Sequence, residues 1–163
     1  EPPMPALARR SAALALSLAV CFGVAALNGA VTALSVDGWY QGLAKPAFKP
    51  PDWLFGPVWN MLFLLMAIAA WRIWDRVPAG IYRRTALALF GLQLLANVLW
   101  STLFFGLQQP GGALAEILVL EALIVVTMVV FWHHDRLAGT LLAPYAVWVA
   151  FATALNAGIW WLN

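Results

Sequence analysis

Five runs of apolar residues, separated by short polar breaks, set the rhythm of this chain. They are Ser11–Leu34, Trp53–Trp71 with an extension to Trp74, Thr85–Leu107, Ala113–Trp132 and Leu137–Asn163. A helix needs about 20 predominantly apolar residues to cross the hydrocarbon core of a bilayer. Each run meets that length. All are rich in Leu and Ala and lack strict alternation, which argues against the strands of a membrane barrel. The pattern predicts an all-α integral membrane protein, a bundle of five transmembrane helices forming a single domain over residues 1–163. The first run follows Arg9-Arg10, as a signal peptide would. Its apolar stretch exceeds the about 7–15 residues of a signal core, so it reads as a retained span.

The breaks are short, with one exception. Pro110-Gly111-Gly112 reads as a turn between the third and fourth spans. His133-His134-Asp135-Arg136 joins the fourth to the fifth, and Asp75–Arg84 joins the second to the third. The exception is Ser35–Asp52, which holds Trp39, Tyr40, Lys45, Pro46, Lys49, Pro50 and Pro51. Its prolines bar a regular helix through the second half. The stretch is long enough to fold back over one end of a bundle as a capping loop, and loops of this length often carry function.

Composition sharpens this reading. Hydrophobic residues make up 64% of the chain and charged residues 10%. Soluble domains carry about 45–50% and about 25%. So few charges cannot solvate the surface of a domain this size, and disorder is excluded by the same figures. The net charge is +2. The nine basic residues lie in gaps between apolar runs, not on one solvated face, so they orient the chain in a membrane and do not bind nucleic acid. With five spans, Arg9, Arg10, Arg72, Arg76, Arg83, Arg84 and Arg136 share one side, and Lys45 and Lys49 the other. The arginine side is expected to be cytoplasmic. Cys21 lies inside an apolar run and reads as a small buried hydrophobe.

Polar groups inside spans are costly in lipid and so are informative. Gln93 and Asn97 are four apart and share a helical face, which Trp100 extends. That face serves either helix–helix hydrogen bonding or a ligand. Asn156 is a further such group. Glu116 reads as near the membrane surface and solvated. Glu121, deeper, reads as an ion-paired or protonated acid facing another helix. His133-His134 reads as a solvated interfacial pair, with no metal site. No nucleophile with its base, and no phosphate-binding glycine loop, can be assembled.

The ten tryptophans are unusual. Trp39, Trp53, Trp71, Trp74, Trp132, Trp160 and Trp161 lie near span ends, where an interfacial aromatic belt accounts for them. Trp59, Trp100 and Trp148 lie further in. They either pack the core or line a pocket for a flat aromatic ligand. Pro144-Tyr145 offers a kink and a polar tip near Trp148. Ala15, Ala19 and Gly23 form a small-residue stripe that permits close helix approach, within the bundle or between subunits.

Three segments resemble a known family. Trp39-Tyr40 through Lys45-Pro46, Pro50-Pro51 and Trp53 is similar to the WY…KP…PP…W signature of the TspO/MBR family. That family comprises bacterial tryptophan-rich sensory proteins and the mitochondrial translocator protein, or peripheral benzodiazepine receptor. The stretches Gln93–Gly106 and Pro144–Asn156 resemble its third and fifth spans.

The resemblance implies a five-helix bundle, usually a homodimer, with the first loop capping a pocket. Its ligands would be porphyrin-type tetrapyrroles such as protoporphyrin IX or haem, and drug-like isoquinoline carboxamides and benzodiazepines. No resident cofactor would be required. Trp39 and Tyr40 would belong to the cap, and Trp59, Asn97, Trp148, Ala152 and Leu155 to the pocket, beside Trp100 from the helical face above. The implied role is tetrapyrrole sensing or regulation. Its alternatives are light- and oxygen-dependent porphyrin breakdown, with Trp59 and Trp148 as the catalytic indoles, and transport of lipophilic ligands. The animal sterol pattern needs a tyrosine and then a basic residue at the end of the fifth span. Leu155–Asn163 has neither, which argues against sterol binding there. The expected setting is a bacterial cell membrane with lipid as partner, although some bacterial relatives are associated with the outer membrane.

Overall fold

The computed structural model describes residues 2–163, and those residues form five long helices. They are α1 (Ala6–Ala33), α2 (Asp52–Arg76), α3 (Ile81–Ser101), α4 (Pro110–His134) and α5 (Arg136–Leu162). All five are long and apolar enough to cross a membrane, α3 together with the Thr102–Gly106 segment that continues it. Around the bundle the order is α1, α2, α5, α4, α3, with α3 closing back on α1.

The helices begin earlier than the apolar runs do. α1 starts five residues before Ser11, so Arg9 and Arg10 lie within it, and α3 includes Arg83 and Arg84. Arginine is a good helix former, and its long stem lets the charge snorkel to water. An apolar run therefore marks the part of a helix suited to the membrane interior, not its end.

Two connections differ from the expected ones. Pro110-Gly111-Gly112 is not a turn but the first turn of α4. Proline's fixed φ suits the first helical position, where no N–H bond is needed. The reversal is made by residues 107–109, where Gln108 takes a positive φ of 55°. The fourth connection shrinks to Asp135 alone, because His133 and His134 complete α4 and Arg136 opens α5. α2 and α5 run continuously past Pro57 and Pro144.

The core is built from small and branched residues at helical spacing. α4 buries Ala113, Ile117, Leu120, Ile124, Thr127 and Phe131, one stripe along its length. α2 and α5 bury Ala67, Ala70, Ala138 and Ala146, which lets helices approach closely. α1 is the least embedded helix, and only Cys21 is fully buried in it. The Ala15, Ala19 and Gly23 stripe faces outward.

The segment 35–51 crosses the far end of the bundle. Ser35 Oγ donates to the Phe105 carbonyl oxygen at 2.8 Å. Trp39 meets Phe104 edge-on, with ring centroids 5.7 Å apart. Asn163 holds both backbone groups of Ala44, accepting from its N–H at 3.1 Å and donating to its carbonyl oxygen at 2.8 Å. Pro46 packs on Gly158, where a β-carbon would collide with the proline ring. The expected capping geometry follows from these contacts.

Candidate functional site

Beneath this loop lies a cavity of about 410 Å³. Four helices supply its walls. α2 presents Asp52, Phe55, Trp59, Asn60 and Phe63 at spacings of three, four, one and three, one broad helical face. α3 gives Asn97, Trp100 and Ser101, and α5 gives Trp148, Ala152, Leu155, Asn156 and Ile159. α1 closes the remaining side with Ala25, Asn28, Gly29 and Thr32, and the loop adds Val36 and Tyr40.

After Ser101 the helix widens into a single π turn, Thr102–Gly106, in which the Leu107 N–H reaches back five residues to the Thr102 carbonyl oxygen at 2.8 Å. A π turn shifts the helical register by one residue. It accompanies two successive phenylalanines, Phe104 and Phe105, on the same cavity wall. Trp100 stacks on Phe104 at 5.4 Å and meets Phe105 edge-on. Across the cavity, Trp148 sits between Phe55 and Phe151, and Trp59 packs against Phe63 and Tyr145.

A chain of hydrogen bonds lies along one wall and crosses three helices into a fourth. Asn28 Nδ2 donates to Asn97 Oδ1 at 2.7 Å, and Asn97 Nδ2 donates to the Tyr145 hydroxyl at 2.7 Å. Tyr145 donates to Gln93 Oε1 at 2.7 Å, and Gln93 Nε2 reaches the Met66 sulfur at 3.8 Å. The Gln93–Asn97 face therefore does both things its pattern allows. Gln93 bonds helices together, while Asn97 bonds helices and lines the cavity.

The internal tryptophans differ in one respect. The Trp100 indole N–H donates to Asn156 Oδ1 at 3.0 Å, and Asn156 Nδ2 donates to the Pro110 carbonyl oxygen. The Trp148 indole N–H is closed off with no partner.

Charged groups gather at the cavity mouth, where Asp52 lines it. Lys49 pairs with Asp52, and Gln41 Nε2 donates to the same carboxylate at 3.0 Å. Lys45 Nζ lies 4.7 Å from the centre of the Tyr40 ring. Burial, with the Asp52 charge adding to it, pushes the Tyr40 phenol up to about 12, so it stays neutral at ordinary pH.

Of the residues singled out in the sequence, Tyr40, Trp59, Asn97, Trp100, Trp148, Ala152 and Leu155 all face this cavity. Trp39 does not: it packs behind the wall, on Phe104. Glu116 and Glu121 are half-buried, each with one carboxylate oxygen closed off without a partner, and neither has a cation within ion-pair distance among the described residues. The ion-paired reading of Glu121 gives way, while Glu116 keeps one carboxylate oxygen outside the closed-off set. His133 and His134 are exposed. Among the described residues no three His, Cys, Asp or Glu side chains gather as metal ligands.

Asn28 is one of several polar cavity residues that sequence reading missed, with Thr32, Asp52, Asn60 and Ser101. A signal existed for Asn28, since Ser17, the core residue Cys21 and Asn28 follow at intervals of four and seven, on the inward face of α1. Phe104 and Phe105 carried none in the spacing of the apolar residues, because nothing in Thr102–Gly106 marks the π turn that accompanies them.

Five long apolar helices, four of them walling an aromatic cavity beneath a pinned loop, define a multi-pass membrane protein. The TspO/MBR family profile matches residues 17–162, and the chain belongs to that family. It is 44% identical over 133 residues to the tryptophan-rich protein TspO of Archaeoglobus fulgidus, covering 81% of this chain and 84% of that one. Protein CrtK of Rhodobacter capsulatus is 38% identical over 146 residues, with 89% and 91% covered. The human translocator protein is 38% identical over 125 residues, with 75% and 73% covered.

Proposed function

We propose that this protein is a membrane receptor for porphyrin-type tetrapyrroles, acting in the sensing or control of their levels. The cavity is the observation that carries this reading. Its walls are flat aromatic faces from Trp59, Trp100, Trp148, Phe55 and Phe104, with a few amide groups between them. A rigid apolar macrocycle gains from burial and stacking in such a site, and loses little conformational entropy. Drug-like aromatic ligands suit the same walls. The arginine end is read as cytoplasmic in a bacterial cell membrane. A homodimer is consistent with the outward small-residue stripe of α1.

Titration of the detergent-solubilised protein with protoporphyrin IX, followed by tryptophan fluorescence, tests the proposal. Saturable quenching is expected, weakened about tenfold in a Trp59→Phe, Trp148→Phe variant. Linear, unsaturable quenching, or equal affinity in the variant, overturns it.

One observation favours a chemical role as a second reading. The unpartnered Trp148 N–H belongs to an indole on the cavity wall that forms no internal hydrogen bond. Under light and oxygen, a bound porphyrin would then yield a discrete product that the double variant does not form. Bleaching equal to that of free porphyrin in detergent rejects this reading.

A further inference from the structure

A second concave feature lies away from the cavity, on the outer flank of α4 and α5. It is a groove of about 290 Å³ between Met128, Val129 and Trp132 on one helix and Gly139, Thr140 and Ala143 on the other. The two helices cross so closely here that a β-carbon on Gly139 would overlap the backbone of Trp132. The lining is almost entirely apolar, and its one hydroxyl is engaged, because Thr140 Oγ1 donates to the Arg136 carbonyl oxygen at 2.7 Å. Nothing in the groove suits a soluble polar ligand.

Its outer end is different. Arg136 lies there, with its guanidinium carbon 5.1 Å from the centre of the Trp132 ring. Stacking uses the flat face of a guanidinium and leaves its N–H edge able to grip two oxygens of a phosphate. The neighbouring arginines are mostly engaged. Arg10 pairs with Asp75 at 2.9 Å, and Arg72 takes both oxygens of Asp135, at 2.6 and 3.2 Å. Arg83 donates to the Trp74 carbonyl oxygen. Asp135 precedes Arg136 in the chain, yet its carboxylate is turned to Arg72, with Arg76 3.9 Å away. Arg136 has no carboxylate within ion-pair distance among the described residues.

We propose that this groove binds one anionic phospholipid, with its phosphate on the Arg136 edge and an acyl chain lying between α4 and α5. The lengths agree. From Arg136 to Ala143 the helix rises about 10 Å, so the groove runs from the interface into the hydrocarbon region of one leaflet. Charge complementarity selects the lipid. Among the described residues the arginine end carries seven guanidinium groups against Asp75 and Asp135, while the loop end balances Lys45 and Lys49 against Asp37 and Asp52. A zwitterionic headgroup brings its own cation to this crowded positive surface, and an anionic one does not. Arginine also suits phosphate better than lysine by its fork geometry.

Native mass spectrometry of the full chain, released from nanodiscs of equimolar phosphatidylcholine and phosphatidylglycerol, tests this. The wild type should retain one phosphatidylglycerol in about tenfold excess over phosphatidylcholine. Arg136→Gln should remove that preference. Ala143→Phe, which fills the groove, should remove retained lipid of either kind. Arg84→Gln removes an exposed arginine at the same end, away from the groove, and should leave retention unchanged. Helix content by circular dichroism identifies variants that fail to fold. If Ala143→Phe is one of them, the contrast between Arg136→Gln and Arg84→Gln decides alone. Three results overturn the proposal: no headgroup preference in the wild type, equal loss in both arginine variants, or a wild-type dimer that Ala143→Phe splits. The last would mean that a second copy of the chain covers this groove.

Discussion

Tyr145 is fully buried, and its hydroxyl both accepts from Asn97 and donates to Gln93. In lipid neither partner has water to turn to. Tyr145→Phe keeps the ring against Trp59 but leaves an amide N–H and an amide oxygen unpaired. The expected cost is about 1–2 kcal/mol, since bonds of this kind in membrane bundles average under about 1 kcal/mol each. A lowered melting temperature in detergent, with helix content unchanged at 25 °C, is the readout. The tryptophans allow a sharper contrast. Trp100→Phe removes the donor to Asn156 and loosens the hold of that residue on the start of α4, so it should destabilise by about 1 kcal/mol. Trp148→Phe breaks no internal hydrogen bond and should alter ligand affinity with much less change in melting temperature. Equal melting temperatures for the two variants would contradict the pairing described. The sequence showed which tryptophans are internal, because depth follows from distance along an apolar run. It did not show which indole is engaged, because a partner fifty-six residues away depends on how helices are rotated against each other.

At the scale of the element, the loop over residues 35–51 is held by small contacts at both ends. Gly158→Ala would drive a methyl into the Pro46 ring. Either the proline shifts or the loop lifts, at a cost of about 1–3 kcal/mol for such overpacking. Limited proteolysis should then cut near Lys45 and Lys49 faster than in the wild type, while the helices stay protected. The opposite end is closed by Asp135, whose carboxyl is held below its ordinary range chiefly by the hydrogen bond from Arg72. A lowered folded-state value means that this contribution is complete above about pH 4 and is lost as pH falls through the folded value. Between pH 6 and pH 3 the melting temperature of the wild type should fall more steeply than that of Asp135→Asn, which starts lower. Parallel slopes would remove Asp135 from the acid response. The existence of all five helices was legible, since length and apolarity decide it. The ends were not, because arginines extend helices beyond the apolar core and Pro110 starts one that its Pro-Gly-Gly context marks as a turn. The π turn after Ser101 was illegible for a further reason: nothing in Thr102–Gly106 departs from an ordinary apolar helix.

Across the whole molecule the two kinds of basic residue are fully separated. Every arginine lies at the end formed by the start of α1, the α2–α3 connection and the α4–α5 junction, and both lysines lie in the loop at the other end. Translocating a short, arginine-rich connection across a membrane is disfavoured, so the bias of seven to two supports the proposed orientation, with the arginine end in the cytoplasm. The three arginine–tryptophan stacks, at Trp71, Trp74 and Trp132, add weight to this end, because they anchor each charge at the interface beside an aromatic belt. The loop end has no such anchor except Lys45 over Tyr40. In that proposed orientation the cavity mouth would open on the side away from the cytoplasm, and a ligand would enter from the outer leaflet or the space beyond it. Single cysteines placed in a Cys21→Ser background test this in intact cells. A cysteine at Ala79, in the α2–α3 connection, should resist a membrane-impermeant maleimide until the cells are lysed, whereas one at Gly38, in the loop, should react at once. Reaction at Ala79 in intact cells would invert the orientation. It would also put the arginine end, and any anionic lipid bound there, in the outer leaflet.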